Sequence, residues 1–365
     1  MLIDITTSSP PYKVDQMKAA EELKLRMSGQ AALSRLIDMA ARNSGINNRY
    51  IVIPDAENNS NNKFYTNKDG SYFKPDTGHR MKQYEDWSIK LTCEAVEKLL
   101  QSNKVNPDDI KRLITISCTG FFAPGIDYHL INKFKLPNSV KRTHIGFMGC
   151  AAALAGINTV WEALSLQKEG LSKILLVAVE ICSIHLQTNA TRDNILANMI
   201  FADGAVAAIF SNYNNNSDKH GFEIISADSV LFEDSAEFMG WKIGNYGFEM
   251  MLSAELPKII LKTGIPNVLS ILEKAGINKN DIKFWALHPG GRSILDSLQQ
   301  GLELSDEQMQ PSRTILRDYG NMSSVTILFV LKEILHKQHL NRGDYCCAIA
   351  FGPGLTMEVV LFKVV

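Results

Sequence analysis

The chain has 365 residues, with 38 lysines and arginines against 39 aspartates and glutamates and 45 % hydrophobic residues. A net charge of −1, with both signs mixed along the chain, excludes nucleic acid or an acidic membrane surface as the main partner. The length and apolar share are enough for a large core, built as two domains or as one duplicated unit. Met1 to Val14 lacks a basic start followed by an apolar run. Apolar runs such as ILLVAVEI are strand-sized, well short of the ~20 residues of a membrane helix. No export signal or membrane span is therefore expected, and a cytoplasmic setting follows. The six cysteines, Cys93, Cys118, Cys150, Cys182, Cys346 and Cys347, form no CxxC pair. That excludes zinc-ligand spacing and fits a reducing compartment.

In chain order, ALSRLIDMAARNSGINNRY reads as an early helix. Asp55 to Arg80 is polar, with glycine and proline, and reads as a long surface excursion able to border a site. LLQSNKVNPDDIKRL, from Leu99, reads as a helix end, a capping turn and then the strand RLITISC. RTHIGF is a short strand, followed by Gly149, Cys150 and a helix whose apolar residues fall at Leu154, Ile157, Trp161 and Leu164. KILLVAVE, from Lys173, is a strand covered on both faces. The asparagine-rich stretch Asn212 to Gly221 is a link.

Beyond that link the pattern recurs. ILEKAGINKNDIKFW from Ile271 matches the Leu99 stretch in register, with Asp109-Ile110-Lys111 opposite Asp281-Ile282-Lys283. Gly149-Cys150-Ala151 falls opposite Gly320-Asn321-Met322, shifted by one residue, and KILLVAVE falls opposite DYCCAIAF from Asp344. Three matches in one order indicate two similar α/β halves, 1–213 and 220–365, related by a pseudo-two-fold.

Buried free cysteines are common and inert. Cys150 differs by sitting where a strand turns into a helix start, a place that favours negative charge and lowers a thiol pKa. This local pattern leaves both readings open. His288 closes the strand FWALH and opens the glycine turn Pro289-Gly290-Gly291, a position where α/β folds present functional groups. Asn321 stands at a second helix start, where an ordinary N-cap is the plainer explanation. Taken together, the repeat brings Cys150 and Asn321 to equivalent points facing one cleft. A cysteine, a histidine and an asparagine there can attack a thioester and hold an enolate formed on loss of CO₂.

At these residues the chain resembles the type III polyketide synthases of bacterial type, the chalcone synthase-like branch of the thiolase fold. The motifs are GFMGCAAA around Cys150, IFADGA around Phe201, WALHPGG around His288, YGNMSS around Asn321 and FGPGLTMEVVL from Phe351. The resemblance implies a duplicated αβαβα homodimer that loads an acyl-CoA on Cys150 and decarboxylates malonyl-CoA with His288 and Asn321. Condensation and cyclisation to a pyrone, resorcinol or phloroglucinol-type ring would follow, with CoA thioesters as substrates and neither metal nor cofactor. It further implies gatekeeper phenylalanines at Phe201 and Phe248, cavity-lining positions at Cys182, His185 and Ser323, and a cyclisation-pocket scaffold at Gly352, Pro353 and Gly354. Ala123 stands where plant members carry a methionine reaching into the partner subunit, and its smaller size is expected to admit a longer starter. The basic residues that hold CoA phosphates in plant members leave Arg35 and Arg42 as counterparts on the early helix.

An initiating ketoacyl-carrier-protein synthase is the nearest rival, but its histidine typically opens a His-Gln-Ala-Asn run where His288 precedes Pro-Gly-Gly. A hydroxymethylglutaryl-CoA synthase would need a catalytic glutamate near the cleft, and Glu180 matches a structural position instead. A non-catalytic acyl-CoA-binding protein is the third alternative, and the intact trio argues against it.

Overall fold

The structure is a computed structural model describing residues 1–27, 31–56, 63–103, 105–166, 172–212 and 220–365. The expected link at Asn212 to Gly221 lies almost wholly outside these residues, as does part of the Asp55 to Arg80 excursion. From the N-terminus come β1 (Leu2–Ser8), β2 (Tyr12–Asp15), α1 (Gln16–Arg26), α2 (Ala31–Asn43), β3 (Asn48–Ile51) and α3 (Thr77–Ser102). They are followed by β4 (Ile110–Ser117), α4 (Ile126–Phe134), β5 (Lys141–Gly146), α5 (Ala152–Ser165), β6 (Lys173–Ile181), α6 (Arg192–Ile200) and β7 (Asp203–Ser211). The later elements are β8 (Phe222–Leu231), β9 (Met239–Gly244), β10 (Gly247–Leu252), α7 (Leu256–Ile259), α8 (Ile265–Lys274) and β11 (Ile282–Leu287). The chain closes with α9 (Arg292–Leu302), α10 (Asp306–Tyr319), α11 (Ser324–Lys337), β12 (Tyr345–Gly352) and β13 (Thr356–Val364).

Among the described residues, strands pair in the order β11-β12-β13-β8-β1-β7-β6-β4-β5. The run β4-β6-β7-β1 is one parallel pair followed by two antiparallel pairs. The run β11-β12-β13-β8 repeats that polarity. The two runs meet at a single residue pair, Leu2 opposite Phe222. The internal repeat is thus visible as topology, with β5 added to the first run alone.

Side chains alternate across a strand, and the alternation sorts the core into layers. Leu175, Val177 and Val179 of β6 face α3 and α4. Ile174, Leu176 and Ala178 face the other way, onto α5 and α11. Ala348 and Ala350 of β12 also face α5 and α11, while Cys347 and Ile349 face α8, α9 and α10. Cys346 and Cys347 accordingly lie in different clusters. The result is the αβαβα layering of the thiolase fold, with α5 and α11 as its central layer. Among the described residues no helix is long and apolar enough to cross a membrane.

α11 is buried all round from Ser324 to Leu331, and α5 buries one broad apolar face while Asn158, Thr159, Glu162 and Ser165 form its polar side. Ala152, Ala153, Leu154, Gly156, Ile157 and Val160 of α5 are all buried. Gly156 allows close approach, since a Cβ there would lie 2.6 Å from Ile116 Cδ1 and 3.1 Å from Leu176 Cδ1. Overpacking at this contact is predicted to displace α5 together with the Cys150 turn. Gly156→Val should lower unfolding stability by about 2 kcal/mol, read as a lower urea midpoint. An unchanged midpoint would show that the helix–sheet contact is loose.

Candidate active site

Three helix or strand ends converge. Cys150 lies in the 3₁₀ turn Gly149–Ala151 between β5 and α5, and is 8 % exposed. Gly149 has φ 56°, and a Cβ there would lie 2.4 Å from Pro353 Cδ, so the turn needs glycine. His288 follows β11, and its backbone N–H donates to Ile349 O at 2.8 Å. Neither of its buried ring nitrogens has a hydrogen-bond partner among the described residues. Asn321 precedes α11 and pairs with the end of α6: its N–H donates to Ile200 O at 2.9 Å, and Ala202 N–H donates to Asn321 O at 2.8 Å.

The Asn321 side chain does more than cap. Its Oδ1 accepts from Ser323 N–H at 2.8 Å and from Thr326 Oγ1 at 3.3 Å, which sets the amide's orientation. Its Nδ2 donates to Gly290 O at 3.2 Å, in the glycine turn after His288. Ser323 sits at φ 48°, a strained value for serine of the kind found at functional turns. Its Oγ is 3.8 Å from Cys150 Sγ.

Cys150, His288 and Asn321 all line one cavity of about 610 Å³. Phe201, Met239, Met250 and Phe351 supply apolar wall, and Arg192 and Arg292 supply positive charge. A second cavity of about 480 Å³ holds Cys182, His185, Trp241 and Phe248. Phe201 and Met250 belong to both linings and so form the partition.

Two family models cover most of the chain. Residues 223–365 match the C-terminal domain of chalcone and stilbene synthases, and residues 62–228 match the FAE1/type III polyketide synthase-like protein. The chain belongs to the type III polyketide synthases. It is 28 % identical to a putative chalcone synthase of Bacillus subtilis (strain 168), over 99 % of this chain and 98 % of that protein. It is 26 % identical to the 1,3,6,8-tetrahydroxynaphthalene synthase of Streptomyces peucetius subsp. caesius, over 98 % of this chain and 92 % of the relative. The solved structure of PKS-I from the brown alga Ectocarpus siliculosus superposes with a TM-score of 0.92 at 28 % identity, covering 100 % of this chain and 99 % of that one. Members of this family are acyl-CoA-condensing transferases, so the chain is an enzyme of that class.

Several expected positions of the synthase fall elsewhere in the structure. Phe248 lines only the second cavity, where it stacks on His185 with ring centroids 4.2 Å apart. The partition residue on β10 is Met250, two positions on and therefore on the same strand face. Arg35 and Arg42 are exposed and line neither cavity. α2 presents Ala40 and Asn43 to the reaction cavity instead, and the basic wall comes from the starts of α6 and α9. Cys182 and His185, expected to line a cavity, line the second one. Ala123, expected to face the partner subunit, is exposed on the loop before α4. Gly352 and Pro353 pack beneath the Cys150 turn, and Gly354 N–H donates to Met239 O at 3.2 Å, so this loop braces both the nucleophile and the β9–β10 hairpin. Asp55 and Tyr65 of the polar excursion do border a cavity, the second one.

The hairpin is the part that the sequence did not reveal. It delivers Met239, Trp241, Phe248 and Met250 to the two cavities. Trp241 Nε1 donates to Cys118 O at 2.8 Å, and Phe248 N–H donates to His185 Nδ1 at 3.0 Å. His185 Nε2 lies 2.7 Å from Thr119 O. His185 is therefore a neutral tautomer that donates from Nε2, and its burial pulls the ring down to about 3. Glu180 lines neither cavity. Its carboxylate accepts from Cys118 N–H at 3.0 Å, from Thr119 Oγ1 at 2.8 Å and from Ser324 Oγ, and so ties the end of β4 to the start of α11. Burial raises it to about 7.

The nucleophile's electrostatics depart from the simple helix-start expectation. Burial pushes the Cys150 thiol up to about 12; the Ser323 and Asn321 hydrogen bonds oppose the rise and the Glu180 charge adds to it. Burial likewise pulls His288 down to about 3. Each charged form is disfavoured singly, because the enclosed cavity withholds water. Moving the proton from Sγ to the imidazole creates both charges together, and their attraction in low dielectric offsets the desolvation. If His288 takes that proton, the reactivity of Cys150 depends on it. In the wild type, iodoacetamide should label Cys150 ahead of Cys93 and Cys118 at neutral pH. In His288→Gln only burial remains, and labelling of Cys150 should still be climbing at about pH 10. Superimposable pH profiles for the two proteins would contradict the dependence.

Proposed function

We propose that the synthase loads an acyl starter on Cys150, extends it with malonyl-CoA, and cyclises the product to a pyrone, resorcinol or phloroglucinol-type ring. The observation that carries this reading is the convergence of Cys150, His288 and Asn321 on one cavity walled by Phe201 and two arginines. The Cys150 proton passes to His288, and the thiolate attacks the thioester carbonyl of the starter. The C–S bond to CoA breaks, and the CoA thiolate takes the proton back from His288. The product of this half-reaction is an acyl thioester on Cys150.

Malonyl-CoA then enters with its thioester oxygen toward His288 and the Asn321 amide. The bond to its carboxylate breaks, CO₂ leaves, and the electron pair moves into an enolate whose oxygen accepts hydrogen bonds from both side chains. The enolate carbon attacks the acyl carbonyl on Cys150. A carbon–carbon bond forms, the C–S bond to Cys150 breaks, and a 3-oxoacyl-CoA is released for another round. Asn321 suits this role because its Oδ1 and one Nδ2 hydrogen are already engaged, which leaves the second N–H for the enolate. Arg192 and Arg292 are the cations available for CoA phosphates.

The second cavity supports a starter with an extended acyl chain, which would pass between Phe201 and Met250 and lie against Trp241 and Phe248. A homodimer completes the reading, supported by exposed Phe121, Phe147 and Ile243 near the edge strand β5.

The test is a product assay with malonyl-CoA and starters from acetyl-CoA to long-chain acyl-CoA, read by mass spectrometry. Polyketide masses should appear with the wild type, favour the longer starters, and fall by about three orders of magnitude in Cys150→Ala. CoA hydrolysis alone with every starter would contradict the synthase reading and move an acyl-binding role forward. Equal output from the variant would remove Cys150 as nucleophile.

A further inference from the structure

Arg49 of β3 is 6 % exposed, yet it makes no salt bridge among the described residues. Its NH1 donates to two carbonyls, Asn198 O and Phe201 O, each at 2.7 Å. Both acceptors sit at the C-terminal end of α6, the negative end of the helix, where a cation is favoured. Asp203 is near enough to support the charge, but its carboxylate is engaged by Val52 N–H and by Ser183. Such an arrangement is costly unless the guanidinium is needed where it stands.

The end of α6 is a functional junction. Phe201 forms the partition between the cavities, and it pairs with Asn321 as an isolated bridge between Ile200–Ala202 and Asn321. The Arg49 stem also lies directly against the residue before Asn321. A Cβ on Gly320 would be 2.8 Å from Arg49 Cγ and 3.1 Å from Ile200 O, and Gly320 has φ 73°. One side chain therefore braces both the partition phenylalanine and the turn that aims the Asn321 amide.

We propose that Arg49 is a positioning residue for the condensation step, its guanidinium holding the Phe201–Asn321 pairing so that the Asn321 amide keeps its aim into the reaction cavity. The proposal rests on the roles given above to Phe201 and Asn321. Arginine suits the place because one planar group gives two charge-assisted bonds with its direction fixed by the stem. Lysine keeps the charge but not that geometry.

Starter loading and malonyl-CoA decarboxylation separate the positioning role from a general structural one. Loading uses Cys150 and His288 and needs no enolate support, whereas decarboxylation needs the Asn321 amide. Arg49→Lys and Arg49→Gln are compared with wild type for acylation of Cys150 by starter CoA and for CO₂ release from malonyl-CoA. Rates are counted per acylated Cys150, so misfolded molecules drop out. Acylation should stay within about threefold of wild type, while CO₂ release falls about ten- to a hundredfold in Arg49→Gln and by less in Arg49→Lys. Equal loss of both steps, loss of neither, or failure of both variants to acylate overturns the proposal. A wild type that neither acylates nor releases CO₂ overturns the synthase reading instead, and this role with it.

Discussion

The first turns of α5 and α11 have no exposed face and are buried together between the two strand runs, and the architecture follows from that requirement. Water reaches only the far ends of both helices and the Asn158, Thr159, Glu162 and Ser165 side of α5. The helices are otherwise enclosed by the inner faces of both strand runs, and small residues on α5 let it approach the sheet. A buried helix still has unpaired N–H groups in its first turn. Here those starts meet at one place: Met322 N–H donates to Thr326 Oγ1 and Ser323 N–H to Asn321 Oδ1, beside the Cys150 turn. A polar patch inside an apolar core is costly, and here it borders the reaction cavity through Asn321.

The same burial governs the chemistry. It keeps thiol and imidazole neutral when considered one at a time, and it strengthens the attraction between them once the proton has moved. The immediate surroundings of Cys150 are held stiffly. Gly149 is held against Pro353, Ser323 is held at positive φ, and Glu180 joins β4 to α11 from outside the cavity. Arg49 donates to two carbonyls at the end of α6. Fixed dipoles around Cys150 and Asn321 suit the proposed passage of negative charge from thiolate to enolate, since they need no rearrangement.

Much of this was legible in the residues. The register between the Leu99 and Ile271 stretches anticipated β4 and β11 as equivalent strands, and the offset match of Cys150 with Asn321 anticipated the two helix starts. The alternation in CCAIAF anticipated Cys346 and Cys347 on opposite faces. What stayed hidden depended on contacts between distant segments. The β9–β10 hairpin has no strong periodicity, so nothing local marked Met250 rather than Phe248 as the partition residue. Arg192 and Arg292 each look like an ordinary first-turn arginine, and only the meeting of α6 with α9 at the cavity gives them a shared place. The thiol pKa was misjudged for a related reason: a helix start is visible in sequence, but the degree of enclosure that outweighs it is not.

The central claim is that Cys150 alone among six cysteines carries the acyl group and passes it on. The direct measurement is peptide mass spectrometry of the enzyme after a single exposure to starter acyl-CoA, before and after malonyl-CoA is added. The account predicts one acyl group on the Cys150 peptide that disappears when malonyl-CoA is supplied. An acyl group on another cysteine, or one on Cys150 that malonyl-CoA does not discharge, would contradict it.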